Sequence, residues 1–251
     1  MQPLSTSTTS TVHSSHITTI TSPAAAMTEV PQLRARPAVQ AADRLLGMSA
    51  ATGSSSTTAN DTLHLAAETG DTAAVEALLL AGASVDDADN DGFTALMMAA
   101  VFGHSNTIKA LLNAGARADQ AWPGDGSSAL AHAAASGQTA AVLVLIQAGA
   151  SVDHGDVNGH TALIAASRHN QHHIVPLLVR AGAVVDHTDG LGLTALMNAA
   201  QCCCPRSVQA LLQAGANCTL KSRTGDTALS FAVARKHAQV IELLRAHGAR
   251  S

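Results

Sequence analysis

A Gly-Ala pair recurs at Gly82, Gly115, Gly149, Gly182, Gly215 and Gly248, in steps of 33 residues with a single step of 34. A period so fixed means a chain of near-identical units, each unable to bury its apolar face except against its neighbours. The composition suits such a stack. The 251 residues are 47% hydrophobic but only 2% aromatic, so alanine and leucine carry the apolar content. Small side chains favour closely approaching helices over the broad core of a sandwich or barrel.

Each unit can be read residue by residue. A leucine keeps the same clock, at Leu63, Leu96, Leu130, Leu163, Leu196 and Leu229. Two residues before it stands Asp61, Thr94, Ser128, Thr161, Thr194 or Thr227. All are good N-caps, whose side-chain oxygen accepts from a free backbone N–H. Three residues after it is always an alanine, from Ala66 to Ala232. An apolar stripe follows at helical spacing, as in Ile108, Leu111 and Leu112. The Gly-Ala pair then supplies a left-handed helix stop. The unit is helix, turn, antiparallel helix, stop and polar loop.

The stretch "DGFTALMMAAVFGHSNTIKALLNAGARAD" (Asp91 to Asp119) resembles an ankyrin repeat, as do the five other units. The resemblance implies an all-α ankyrin-repeat solenoid of stacked helix-turn-helix units with β-hairpin fingers. It spans residues 58–251, as six repeats at about 58–86, 87–119, 120–153, 154–186, 187–219 and 220–251. The departures are informative. The proline of T-P-L-H is missing throughout, and its histidine survives only as His64. The glycine between the helices becomes Asn170, Cys203 and Lys236 in the last three repeats, where a left-handed backbone is costly for Cys and Lys. Pro176 is tolerable only in the first turn of its helix. Repeats four to six are therefore expected to be less stable than one to three.

Residues 86–92, "DDADNDG", imitate the opening of an EF-hand loop. Position 12 of that loop would be Met98, which offers no hard oxygen, so calcium is set aside. The resemblance makes this segment the first finger, with Gly92 as its turn glycine and Asp and Asn as turn residues. "GLGLTA" (190–195) is set aside likewise, because no dinucleotide-binding strand precedes it. The fingers supply the candidate partner-binding residues: Asp87, Asp89, Asp91, Trp122, Asp125, His154, Asp156, His187, Asp189, Lys221 and Arg223. Trp122, the chain's one tryptophan, sits on the finger lengthened by the 34-residue step. It reads either as an interface anchor or as a ring folded back against the neighbouring finger.

Charge divides the chain. Residues 61–205 hold 14 acids against 4 Lys/Arg, and residues 206–251 hold 2 acids against 7. An acidic body lacks the basic footprint of a nucleic-acid binder and points to a partner protein with a basic surface. No apolar run reaches the length of a membrane span. No nucleophile–base pair, phosphate loop or paired-carboxylate pocket emerges. The expectation is a non-catalytic, monomeric, cytoplasmic scaffold that binds a partner protein through its hairpin fingers and concave helix face and needs no cofactor.

Two further readings stand beside it. Residues 1–57, rich in Ser and Thr, are expected to be a disordered arm with a short helix at 38–46. Such an arm also suits an effector exported from a bacterium without a signal peptide, or an organelle-targeting segment. The turns between helices in repeats four and five hold His169, His172 and His173, and Cys202, Cys203 and Cys204. These are zinc-ligand types and redox-active types, but in no metal-binding spacing.

Overall fold

The computed structural model describes residues 59–249, so the expected arm and its short helix lie outside the described residues. Twelve helices follow in six pairs among those residues. They are α1 (Ala59–Thr69) and α2 (Thr72–Leu80), α3 (Ala95–Phe102) and α4 (Ser105–Asn113), α5 (Ala129–Ala135) and α6 (Thr139–Gln147), α7 (Ala162–Arg168) and α8 (Val175–Arg180), α9 (Ala195–Gln201) and α10 (Pro205–Gln213), and α11 (Ala228–Ala234) and α12 (Ala238–Ala246). Odd-numbered helices pack on one another in sequence as one layer, and even-numbered helices form the second. None of the twelve is long and apolar enough to cross a membrane.

Helices of two turns do not persist alone, so stacking must supply their stability. The clock leucines Leu63, Leu96, Leu130, Leu163, Leu196 and Leu229 are all buried, each contributing roughly 2 kcal/mol by burial. The alanines three residues on are buried too, where a larger side chain would push the packed helices apart. Thr94, Ser128, Thr161, Thr194 and Thr227 cap their helices by accepting from the backbone N–H three residues on. Asp61 does not take that role: α1 begins at Ala59 and Asp61 lies inside it.

The even-numbered helices end as expected, on a left-handed glycine. At Gly115, with φ of 95°, Ala116 N–H donates to Leu111 C=O at 3.0 Å. Asn170, Cys203 and Lys236 do hold the left-handed backbone that Gly70, Gly103 and Gly137 hold in the first three pairs, with φ of 57°, 57° and 60°. Pro176 falls in the first turn of α8, where its missing N–H costs nothing. Arg245 is exposed on α12.

A hydrogen-bond ladder ties each inter-helix turn to the pair before it. His104 donates to Glu68 C=O (2.9 Å), Gln138 to Val101 C=O (3.0 Å), Gln171 to Ala135 C=O (3.2 Å), and His237 bonds Ala200 C=O (2.9 Å). Cys204 fills the fourth rung, its thiol reaching Arg168 C=O at 3.4 Å. A thiol is a weak donor, so this rung is the feeblest.

Candidate functional site

The fingers are not β-hairpins with ladders. Among the described residues there is no strand, and two isolated bridges, Ala88 with Thr94 and Thr188 with Thr194, are all the β pairing they hold. A side chain does the work of a ladder. In the first finger Asp89 N–H donates to Phe93 C=O at 2.8 Å, while the Asp89 carboxylate accepts from Asp91 N–H and Phe93 N–H, both at 2.9 Å. Asp156 and Asp189 close their fingers in the same way. Ser222 does so in the fifth finger with its hydroxyl. A loop closed this way leaves room for only one bridge.

A second set of acids joins fingers to their successors. Asp86 accepts from Arg117 N–H, Asp119 from Ser151 N–H, Asp153 from Val184 N–H and Asp186 from Asn217 N–H, at 2.9–3.1 Å. Asp86 also pairs with the Arg117 guanidinium at 2.9 Å. Thr219 holds the corresponding place in the fifth repeat and binds Asn217 instead. These carboxylates clamp one repeat to the next.

The tips are tied together by the backbone itself. Val157 N–H donates to Asp125 C=O (2.7 Å), Gly190 N–H to Asn158 C=O (2.6 Å) and Arg223 N–H to Leu191 C=O (3.1 Å). His154 adds a bond to Gly126 C=O at 3.1 Å. Two large apolar side chains stand out on this row: Val157 is 77% exposed and Leu191 64% exposed. The sequence reading missed both. Their signal was an apolar residue inside a turn, in Asp156-Val157-Asn158-Gly159 and Gly190-Leu191-Gly192, where polar residues serve the backbone better.

Trp122 takes the place in its repeat that Asp89, Asp156 and Asp189 take in theirs. An indole cannot close the loop as a carboxylate does, and Asp125 caps Ser127 N–H instead, at 2.9 Å. The ring folds back: its N–H donates to Asp91 C=O at 2.9 Å, and it lies 4.9 Å from the Phe93 ring. His132 completes the cluster, 5.4 Å from Phe93 and bonded to the Ser127 hydroxyl at 3.0 Å. Burial holds the His132 pKa below its ordinary value, against the pull of Asp125, so the ring is neutral in this apolar seat. Trp122 is half-buried, and part of its face still meets solvent.

One polar cluster crosses from finger to finger. His160 Nδ1 bonds Asp156 at 3.0 Å and its Nε2 lies 3.5 Å from Asp189. The hydrogen bonds to Asp156 and Asp189 outweigh burial and raise the His160 pKa to about 9. Burial pushes both carboxyls up, but the bonds from His160 and from nearby backbone N–H groups bring them below the usual range. His160 was not among the predicted site residues.

The remaining candidates are spread along the same side. Asp87 is exposed and accepts from the Ser84 hydroxyl at 2.8 Å. Asp91 is exposed at the first tip, Lys221 and Arg223 are exposed at the fifth finger, and His187 is half-buried. The His and Cys turns do not converge. His172 bonds Asn170 C=O and His173 bonds Gly137 C=O, with the two rings edge to face 5.6 Å apart. Burial and then the Arg168 charge lower the His169 pKa. Burial pushes the Cys202 thiol up and, with the neighbouring thiols, pushes Cys204 up to about 11. Both are thiols at neutral pH, the form that donates hydrogen bonds rather than ligating metal. Among the described residues no three His, Cys, Asp or Glu side chains gather as a metal site would require.

The sequence model of ankyrin repeats matches in three copies, over residues 37–122, 114–189 and 170–251. The chain belongs to the ankyrin-repeat family. A similar solved structure is an ankyrin repeat domain from Acinetobacter baumannii AYE, at 1.00 Å resolution. It is 30% identical with a TM-score of 0.65, over 75% of this chain and 98% of that one. No curated protein matches. Ankyrin repeats are in general protein–protein interaction modules. The family match starts at residue 37, ahead of the first repeat boundary expected from the sequence.

Proposed function

We propose that this ankyrin-repeat protein is a non-catalytic scaffold that docks a partner protein along its finger tips. The observation that carries this reading is the exposure of Val157 and Leu191 on consecutive tips that the backbone already holds in place. Large apolar groups on rigid turns add nothing to the stack, but they are what an interface core needs. Because the row is preorganised, docking orders few groups, which keeps its entropic cost low.

Charge would set direction. Asp87 and Asp91 stand at one end of the row and Lys221 and Arg223 at the other. The Asp156 and Asp189 carboxyls are held below the usual range, and the acid-rich row presents an acidic field to a basic partner and reverses sign at the fifth finger. Such a gradient steers approach and fixes orientation more than it adds affinity. Trp122 contributes the solvent-facing part of its ring beside the first tip.

The test is affinity capture from native lysate with the full chain immobilised. Wild type is compared with Val157→Ser plus Leu191→Ser, with Asp87→Ser plus Asp91→Ser, and with Lys221→Glu plus Arg223→Glu. None of these side chains is buried. A protein held by wild type and lost with the apolar pair supports the tip row. Capture that survives all three sets places recognition elsewhere on the molecule.

A further inference from the structure

The helices of the fourth and fifth pairs carry no carboxylate. Between Asp156 and Asp186, and between Asp189 and Asp226, every Asp, Glu, Lys or Arg is a cation: Arg168, Arg180, Arg206, Lys221 and Arg223. In a chain of net charge −4 this is a local reversal. Two of those arginines meet in a cleft of about 630 Å³ between α8 and α10, on the helical layer away from the Val157–Leu191 row.

The cleft lies beside the short α8. Pro176 stands in the first turn of α8, which has 6 residues where α6 and α10 each have 9. Pro176, Val179 and Ala210 supply its apolar floor, and His173, Arg206 and Arg180 its polar lining. The repeat period sets Arg206 level with His173. Arg180 lies seven residues, or two helical turns, further along, roughly 10 Å away. Both guanidinium groups are exposed, and among the described residues neither has an ion-pair partner.

We propose that this cleft is a second docking site, and that it takes an acidic amphipathic helix of a partner protein. Two carboxylates seven residues apart on such a helix sit two turns apart on one face, matching the separation of the arginines. Apolar residues at the third and fourth positions between them would lie on the Pro176–Ala210 floor. Each guanidinium offers the planar fork that a carboxylate accepts in two bonds, and no acid in the cleft opposes it. A cationic segment would meet only repulsion. This site is independent of the tip row.

The full chain is titrated by fluorescence anisotropy against a labelled alanine–glutamine helix carrying two glutamates seven residues apart with two leucines between them. Saturable binding is expected, weaker at physiological than at low ionic strength. It falls by about tenfold or more in R180E/R206E, and equally when the peptide glutamates become glutamines. R180K/R206K keeps the charge and most of the binding, and circular dichroism checks that each variant is folded. Absence of binding, or equal binding by R180E/R206E or by the glutamine peptide, overturns the proposal. Self-association of the full chain in sedimentation velocity, abolished by R180E/R206E, would hand the cleft to a second copy's acidic fingers and equally overturn it.

Discussion

His160 and Asp189 approach to 3.5 Å across the gap between the third and fourth fingers, while the other face of the same imidazole holds Asp156 at 3.0 Å. One protonated ring thereby screens two carboxylates that would otherwise repel one another. With a folded pKa of about 9 against an unfolded value of 6.5, the stability it adds is fully present below about pH 6.5 and is lost as pH rises through about 9. The carboxylates have lowered pKa values, so their share is present above the ordinary carboxylate range and is lost as pH falls through it. The melting temperature of wild type minus that of His160→Gln is expected to be largest near pH 6 and to vanish by about pH 10. A difference that stays flat across that range would rule the ionic bridge out.

Trp122→Ala removes a half-buried ring packed at a tilt against Phe93 and an N–H bonded to Asp91 C=O. The expected loss is about 2 kcal/mol, below that for a fully buried tryptophan. Trp122→Phe keeps the ring packing and loses only the hydrogen bond, about 1 kcal/mol. Urea denaturation of the two variants separates these contributions, and equal losses would show that the ring packing contributes nothing.

At the third inter-helix turn, a Cβ on Gly137 would come within 2.4 Å of Gln171 Oε1, on a backbone with φ of 72°. Gly137→Ala therefore strains the turn and displaces the rung from Gln171 to Ala135 C=O, costing about 1–2 kcal/mol or more. Lys236→Gly is the converse change. It relieves a left-handed lysine and should gain about 0.5–1 kcal/mol after the extra freedom of glycine in the unfolded chain. Thermal melts with the signs reversed would contradict the strain argument.

Asp153→Ala breaks the bond to Val184 N–H that clamps one repeat to the next. Because the site is partly exposed, the expected cost is about 1 kcal/mol. Amide exchange should speed up at Val184 in particular, and unchanged protection there would show that water replaces the carboxylate without loss.

The repeat, the cap threonines and the stop glycines were legible because each is a local rule stamped six times at one period. Asn170, Cys203 and Lys236 could be assigned a left-handed backbone from alignment to glycine alone. The role of the acids was only half legible. Asp89 was read as a turn residue and Asp156 as a partner-binding candidate, but nothing in their spacing tells that their oxygens replace a β-ladder. Asp153 and Val184 meet through stacking, 31 residues apart. Trp122 looked like an anchor because the longer finger hid that it occupies an aspartate's slot, and so how its ring would turn. Val157 and Leu191 escaped notice since a search for charge passes over apolar residues.

The rung at Cys204 has a mechanical consequence. Where its counterparts brace adjoining turns with nitrogen donors, this joint is held by a thiol 3.4 Å from Arg168 C=O, next to α8, the shortest of the even-numbered helices. Pulled along its axis, the stack is a spring with one compliant coil, and that coil lies between the fourth and fifth repeats. Bending there widens or narrows the cleft beside α8 while the first three repeats keep their spacing.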